Sequence, residues 1–129
     1  MPPDEITEIS FQREFQIWLY TVSHAQLLLR SNRSNRHATR VDVLFKGVKA
    51  IQLPTSLQGL SMAKAPRTEA LETSRKFGVQ LRANEDVFVC RGSNYAGFVI
   101  AGVAFANEDE GYYYDPSYFA NSFMPRNQP

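Results

Sequence analysis

Hydrophobic and polar positions alternate with a period of two along most of the chain, a pattern typical of β-strands with one buried face. The clearest case is TRVDVLFK (residues 39–46), whose β-branched content also favours a strand. Lys46-Gly47 is predicted to be a tight turn, because glycine adopts positive φ without steric strain. Residues 48–53 would then return as the second strand of a hairpin and end at Pro54, which cannot donate a ladder hydrogen bond.

A preceding pair of strands is predicted at residues 13–20 and 25–31, with a connection of hairpin length that includes His24. Alternate residues of the first strand share a face, with Phe15, Ile17 and Leu19 on one side and Gln16, Trp18 and Tyr20 on the other. Apolar residues occur on both faces of this pair, so it is buried on both sides or curls into a barrel. His24 is therefore expected at or beside a strand corner.

Residues 66–78 carry a helical pattern, in which Pro66 opens the segment, acidic residues come early and basic residues come late. That order suits the helix dipole. The predicted inner face comprises Ala70, Leu71 and Ser74. Residues 75–82 also alternate, which leaves a strand open as the alternative. The preceding residues 55–66 are interpreted as a looser connection.

Two more strands are predicted at residues 86–92 and 97–105, with SNYA at the turn between them. Asp115 and Pro116 are predicted to be the N-cap and the first residue of a short C-terminal helix. Two aromatic residues would share one face of that helix, Phe119 and Phe123. The strands do not alternate with helices, so we predict a mainly β fold: an antiparallel sandwich or partly open barrel of six or more strands with one or two short helices.

The composition fits a single globular domain over residues 1–129, since the chain is 43% hydrophobic and 21% charged. Residues 1–10 and 124–129 are predicted to be less ordered ends. The start lacks the features of a signal peptide, and the longest apolar run, residues 96–106, is shorter than the roughly 20 residues that span a bilayer. A single cysteine excludes an internal disulfide, so we predict a cytoplasmic protein without a membrane segment.

Three residues are candidates for catalysis: His24, Asp42 and Cys90. His24 could act as a general base oriented by Asp42. Arg40 could hold an anion if His24, Arg30, Arg40 and Asp42 met at one end of the sheet. The ordinary alternatives are a structural histidine, an Asp–Arg cross-strand pair and a buried thiol. Ser23 and His24 are not expected to act on each other as nucleophile and base, because neighbours on a strand point to opposite faces. At a strand corner, the ring of His24 could instead accept a hydrogen bond from Ser23 or Arg30.

Charge is unevenly distributed although the net charge is only +1. Residues 24–49 contain six basic side chains and one acidic, whereas residues 104–129 contain four acidic and one basic. The candidate binding residues of the basic stretch are Arg30, Arg33, Arg36 and Arg40. They could contact a phosphate backbone, another protein or the chain's own acidic residues, but no aromatic residues for base stacking are interleaved with them. A solvated loop is the ordinary interpretation.

Aromatic residues cluster in EGYYYDPSYF (residues 110–119). Successive tyrosines on a strand point to different faces, so at least one is expected to face outward. Tyr112, Tyr114 and Tyr118 are therefore candidate binding residues, since tyrosine and arginine are enriched in interface hot spots. The alternative is that these rings cover a sheet edge or a barrel mouth.

No metal or cofactor site is predicted. Two histidines and one cysteine do not supply the close pairs of a structural zinc site, and NEDEG lacks the spacing of a calcium loop. The chain also contains no P-loop and no nucleophile-elbow pattern.

Three stretches, WLYTVSHAQLLLRS, TRVDVLFKGVKAIQLP and GYYYDPS, resemble a family of small actinobacterial single-domain proteins of unknown function. The resemblance implies a bacterial domain and no assigned activity. The chain is also loosely similar to the small immunity proteins of bacterial toxin systems, which are compact binders without catalytic motifs.

These observations favour a non-enzymatic cytoplasmic binding domain that contacts another protein, or a second copy of itself as a homodimer. One alternative is a small hydrolytic or ligand-binding barrel that uses His24, Arg30, Arg40 and Asp42. A nucleic-acid binder that uses the arginines of residues 30–40 is the least favoured alternative.

Overall fold

The computed structural model describes residues 5–120, in which eight strands form one antiparallel sheet in the order β4-β7-β6-β5-β1-β2-β3-β8. In chain order the elements are β1 (Glu8–Thr21), β2 (Gln26–Ser31), β3 (Arg40–Lys46), β4 (Ala50–Gln52), β5 (Ser56–Lys64), α1 (Arg67–Lys76), β6 (Asp86–Gly92), β7 (Tyr95–Ala101) and β8 (Val103–Asp109). The predicted mainly β class is confirmed. Of the predicted less ordered ends, residues 8–10 belong to β1, and residues 124–129 lie outside the described part of the chain.

The two ends of this strand order are joined through the chain itself, which bends the sheet around one interior. β4 follows β3 after a bend at Gly47, and β8 follows β7 after Gly102. β3 pairs with β8 and β4 pairs with β7, so the two bent segments run side by side. Across the bend, the N–H of Gly102 donates to the carbonyl of Lys46 at 2.9 Å, and that of Lys49 donates to Ile100 at 2.8 Å. The pairing runs from β8 through β3, β2, β1, β5, β6 and β7 to β4 in one open sheet, and β7 and β8 are joined by the chain without pairing with each other.

The predicted hairpin at Lys46-Gly47 is wrong. Gly47 has the expected positive φ of 67°, but the chain bends there without reversing. The N–H of Val48 donates to the carbonyl of Ala25 at 2.8 Å, and the next strand pairs with β7 instead of β3. A local turn signal cannot distinguish a bend from a reversal, because the partner of the following strand lies far along the chain.

The interior is filled by the inward side chains of seven strands, from β1 to β8 with the exception of β4. Phe45 and Phe88 meet edge to face, with ring centroids 5.5 Å apart, and Phe15 lies 5.8 Å from Phe11. The predicted alternation of β3 is observed, since its inward residues are Val41, Val43 and Phe45. Packed side chains therefore occupy the centre of the sheet.

A β-bulge in β1 changes the faces predicted for that strand. The register with β2 shifts between Ile17 and Leu19, which makes Trp18 the extra residue. Ile17 packs against the interior, whereas Trp18 packs on the outer side and Leu19 lies opposite Leu28 of the same outer cluster. The predicted faces of Ile17 and Trp18 are therefore confirmed, and the alternation is wrong from Leu19 onward, because the hydrophobic pattern carries no signal for a bulge.

Residues 66–78 are helical, as predicted, and α1 occupies most of this segment. Ala70 and Ser74 are buried, but Leu71 is 40% exposed and does not belong to the inner face. The segment interpreted as a looser connection forms β5, which pairs with β1 and β6. Within residues 5–120, no helix is long and apolar enough to cross a membrane.

The C-terminal helix is not observed at its predicted start, because residues 113–119 form turns and irregular structure. The carboxylate of Asp115 accepts from the N–H of Tyr112 at 2.9 Å, so it closes a turn and does not cap a helix. Pro116 is likewise not helical. Phe123 lies outside the described residues.

Candidate functional site

After β8 the chain crosses the outer side of the sheet as a segment of residues 110–120, which we call the C-terminal strap. It contacts β3 at Arg40 and Asp42, β2 at Arg30 and β1 at Trp18. All of β2 and the first six residues of β3 are consequently buried. The predicted burial of β2 on both faces thus comes from the interior on one side and the strap on the other.

A buried ion pair lies beneath the strap. Arg30 and Asp42 are directly opposite each other in the β2–β3 register, and their side chains are only 3% and 1% exposed. The guanidinium Nε and Nη2 of Arg30 donate to Oδ1 and Oδ2 of Asp42 at 2.7 and 3.0 Å. Ser117 donates its hydroxyl to Oδ2 at 2.6 Å, and Arg30 donates to the carbonyl of Tyr113 at 3.3 Å. Each partner of the buried pair thus gains one further hydrogen bond from the strap, which helps to offset the cost of its burial.

Arg40 holds the strap from β3. Its side chain is 2% exposed and lies opposite Asp109 of β8, whose carboxylate accepts two hydrogen bonds of 3.2 Å. The same guanidinium donates to the carbonyls of three strap residues, Tyr112 (2.9 Å), Asp115 (2.7 Å) and Pro116 (2.9 Å). All five N–H donors of the planar fork are thus used. A Cβ at Gly111 would overlap this guanidinium, so the position favours glycine.

The pKa of Asp109 reflects this contact. Burial by itself would raise it, but hydrogen bonds from Arg40 and from the N–H of Gly111 lower it below its ordinary value. The carboxylate therefore stays ionised well into the acidic range and keeps its charged contact with Arg40.

An apolar contact fixes the end of the strap. Phe119 is 7% exposed and forms an outer cluster with Leu28 and Leu44. Trp18 and Phe105 border this cluster, and the rings of Phe105 and Phe119 lie 6.5 Å apart. The outer cluster is separate from the main interior, so the strap adds a smaller hydrophobic cluster of its own to the domain.

The tyrosines of the strap remain accessible. Tyr114 is 89% exposed, Tyr112 is 67% exposed and Tyr118 is 48% exposed. Tyr113 is 46% exposed and its ring packs at nearly right angles against Trp18 at 4.9 Å and Tyr114 at 4.6 Å. The expectation of an outward-facing tyrosine is met by Tyr114, which stands on a well-anchored backbone.

The remaining candidate arginines lie in the loop between β2 and β3. The guanidinium of Arg33 lies 4.3 Å from the ring centroid of Tyr112 and donates to the carbonyl of Glu110 at 2.8 Å. Arg36 is exposed, and its guanidinium has no hydrogen-bond partner within residues 5–120. Two of the four candidate arginines are therefore buried, one packs on the strap and one faces solvent.

Arg13 fixes this loop and was not identified from the sequence. Its guanidinium donates to the hydroxyl of Ser31 at 2.6 Å, to the carbonyl of Asn32 at 3.3 Å and to that of Thr39 at 2.6 Å. Burial lowers the pKa of Arg13, and the carboxylate of Glu108 opposes that shift. The sequence offered one signal for it: Arg13 lies two residues before Phe15, so alternation places both residues on the inward face of β1.

The structure does not bring His24 together with Asp42. His24 lies in the turn before β2, whereas Arg30 and Asp42 face each other near the far end of β2. Gln26 and Arg30 are four residues apart, which is about 13 Å along a strand. His24 is exposed, with its Nδ1 2.9 Å from the hydroxyl of Ser23. Both residues lie in a turn, so their side chains can meet, as expected for a structural histidine at a strand corner.

Cys90 faces the interior and is fully buried. Burial raises the pKa of its thiol to about 12, so the group is protonated at neutral pH. Its Sγ lies 3.6 Å from the carbonyl of Phe88. A nucleophilic cysteine would need an accessible thiolate, which this position does not provide.

No three side chains of His, Cys, Asp or Glu lie close enough together within residues 5–120 to hold a metal ion. The site that emerges is the strap with its exposed tyrosines, its buried anchors and the arginine loop beside it. No protein-family model matches this chain, and no curated protein or solved structure matches it either.

Proposed function

We propose that this chain is a non-enzymatic binding domain that acts through protein–protein contact in the cytoplasm of a bacterium. The observation that carries the proposal is the combination of exposed tyrosines with a buried polar anchor. Tyr112 and Tyr114 are 67% and 89% exposed, although the backbone that bears them is held by Arg40. Tyrosine contributes strongly to interfaces because it offers apolar area and a hydroxyl on a side chain with few rotatable bonds.

The anchoring of the strap supports recognition because an ordered surface loses less conformational entropy when it binds. Arg40 donates to three strap carbonyls, and Ser117 donates to Asp42. Rings that served only to cover a core would be buried, as Phe119 is. The tyrosines instead face solvent on a segment that the fold keeps in place.

The enzymatic alternative receives less support from the same residues. His24 is exposed and contacts Ser23, away from Asp42. Both carboxylate oxygens of Asp42 are already engaged by Arg30. Cys90 is buried and protonated. A general base needs free access to a substrate proton and a partner that orients it. His24, Asp42 and Cys90 do not form such a pair.

The nucleic-acid alternative receives less support, because most of the basic side chains that it would use already contact groups of the protein itself. Arg30 and Arg40 are in ion pairs beneath the strap, and Lys49 pairs with Glu85 at 2.7 Å. Among the described residues of the loop, Arg36 alone presents an exposed guanidinium without a hydrogen-bond partner. Binding to a phosphate backbone depends on several free cations that displace counterions together.

The cellular part of the proposal rests on the sequence. A single free and buried thiol at Cys90 suits a reducing compartment. The resemblance to small actinobacterial proteins, and the looser similarity to immunity proteins, supports a bacterial domain that binds without catalysis. The partner is another protein or a second copy of this chain.

The test compares three tagged proteins in a capture experiment from the cytosol of the source organism, analysed by mass spectrometry. They are the wild type, a Tyr112→Ser/Tyr114→Ser variant and a Leu71→Ser control, which changes an exposed apolar residue on α1. We expect the tyrosine variant to lose a protein that the wild type and the control both retain. Sedimentation velocity of the same three proteins tests for a homodimer.

Equal capture by all three proteins would show that the strap is not the binding surface. A wild-type chain that stays monomeric and captures no protein would contradict the proposal as a whole. Circular dichroism of each variant confirms that the fold is retained before capture is compared.

A further inference from the structure

A groove of about 290 Å³ separates the bulge of β1 from the strap. The residues that matter for its chemistry are Trp18, Leu19, Leu28, Tyr113, Tyr114 and Asp115. The rings of Trp18 and Tyr113 meet at 78°, and those of Tyr113 and Tyr114 meet at 73°. We call it the aromatic groove, because three neighbouring rings line it and each is nearly perpendicular to the next.

The chain already places guanidinium groups on neighbouring aromatic rings. Arg30 lies 4.9 Å from the ring centroid of Trp18, and Arg33 lies 4.3 Å from that of Tyr112. A cation is attracted to the face of an aromatic ring by the ring quadrupole, most strongly for tryptophan and tyrosine. Among the described residues, no cation lies over Tyr113 or Tyr114. The two rings that line the groove from the strap are therefore available to a cation from outside.

The charges around the groove also favour a cation. The strap contains two carboxylates, Glu110 and Asp115, and no lysine or arginine. Neither carboxylate is in an ion pair within residues 5–120. Arg30 lines the groove, but its charge is neutralised by Asp42. Arg33 offsets one of the two strap carboxylates, which leaves the strap net negative.

We propose that the aromatic groove binds an arginine side chain of the partner protein. The guanidinium would stack on Tyr114 with its N–H donors toward the carboxylate of Asp115, and its methylene stem would pack along Leu19, which is 39% exposed. A purely apolar side chain would fill the same space, but it would remove water from Asp115 without replacing its hydrogen bonds. This inference rests on the proposed function and names the chemistry of the partner at the same surface.

The test is an NMR titration of the ¹⁵N-labelled full chain with the capped peptide Ac-Gly-Arg-Gly-NH₂. The indole N–H of Trp18, the single tryptophan, reports on the groove. We expect saturable shifts with a dissociation constant on the order of 10 mM, as for one stacked and paired side chain. The matched peptide with citrulline in place of arginine keeps the shape and lacks the charge, so it should bind at least about threefold more weakly.

Variants distinguish the ring from the carboxylate. Tyr114→Leu removes the aromatic face and Asp115→Asn removes the charge while keeping an acceptor for the N–H of Tyr112, so each should weaken the arginine peptide by about threefold or more. Tyr114→Phe retains the ring and should bind like the wild type. Phe77→Leu, the same kind of change at an exposed aromatic residue beside α1, serves as the control.

Three results would overturn the arginine assignment: no saturable shift, equal binding of the arginine and citrulline peptides, or binding that Tyr114→Leu leaves unchanged. If the capture experiment depends on the tyrosines while the arginine peptide fails to bind, the assignment fails and the proposed function stands. If capture occurs but is insensitive to the tyrosines, the strap is not the binding surface and the arginine assignment fails with it.

Discussion

Replacing Arg40 by methionine tests whether the strap depends on one buried guanidinium. Methionine keeps much of the volume and removes five hydrogen bonds, two to Asp109 and three to strap carbonyls. If the strap stayed in place, three carbonyls would lack their donor, at about 1–3 kcal/mol each. The unpaired carboxylate of Asp109 would add to this, although it is 32% exposed and can be hydrated.

Detachment of the strap is the competing outcome. It would expose Phe119 and uncover Leu28 and Leu44, each at most about 1.5–3 kcal/mol. The strap residues would also regain backbone conformational entropy, which offsets part of that loss. Detachment is therefore the less costly response. We expect Arg40→Met to release the strap while the interior stays folded, and to lower the free energy of unfolding by about 3–5 kcal/mol.

Two measurements check this prediction. Urea unfolding followed by circular dichroism gives the change in free energy of unfolding. Chymotrypsin cleavage followed by mass spectrometry reports whether the tyrosines of the strap become susceptible under native conditions. Arg36→Met is the matched control, because Arg36 is exposed and its guanidinium has no hydrogen-bond partner in the described part of the chain. That variant should lie within about 0.5 kcal/mol of the wild type.

The reasoning would be refuted if Arg40→Met unfolded at the same urea concentration as Arg36→Met and its strap remained resistant to chymotrypsin. If Arg40→Met unfolded the whole domain, the claim that the strap is released while the interior stays folded would be wrong. Arg40→Lys adds a graded test, since lysine keeps the charge but offers three donors without the planar fork. Its stability should fall between those of the wild type and Arg40→Met.

Three further predictions concern the same anchors and the interior. Gly111→Ala places a methyl group against the guanidinium of Arg40, so it should lower the free energy of unfolding by about 1–3 kcal/mol in urea titrations; an unchanged midpoint would contradict the close contact. Cys90 should resist iodoacetamide at pH 8 in the folded protein, because burial raises its pKa to about 12, and should react fully in urea; rapid alkylation of the native state would contradict its burial. The pKa of Asp109 is lowered in the folded state, so its stabilisation is complete above the unfolded pKa of about 3.9 and is lost as the pH falls through the folded value. Asp109→Asn should therefore show a shallower loss of stability on acidification, by less than about 1 kcal/mol because the side chain is 32% exposed; identical acid profiles of wild type and variant would refute the linkage.

Alternation identified most strands because each presents one face to the same interior. The predicted strands at residues 25–31 and 86–92 correspond to β2 and β6 within one residue at each end. β5 was missed because its sequence has weak alternation and its partners, β1 and β6, come from elsewhere in the chain. The bulge at Trp18 and the bend at Gly47 depend on the same long-range pairing.

The residues of the candidate site were recognised more readily than their roles. Arg40 and Asp42 are two residues apart, so strand alternation alone places them on one face of β3. The register places Arg30 directly opposite Asp42, which is the cross-strand position anticipated from the sequence. In the sequence, Asp109 stands out only as part of NEDEG, an acidic segment without the spacing of a calcium loop. Its role, and that of Ser117, depend on contacts with residues 69 and 75 positions away in the chain, which no local pattern contains.

The sequence by itself determined the class of the fold, because burial of one face imposes a period of two wherever a strand packs on a core. It also identified the arginines and tyrosines as unusual, because their clustering is local. Only the tertiary structure decided that Arg30 and Arg40 are anchors and that Tyr112 and Tyr114 are exposed. The physical reason is that the strap returns over β2 and β3 from the far end of the chain, and its hydrogen bonds and apolar contacts convert polar outer positions into buried ones.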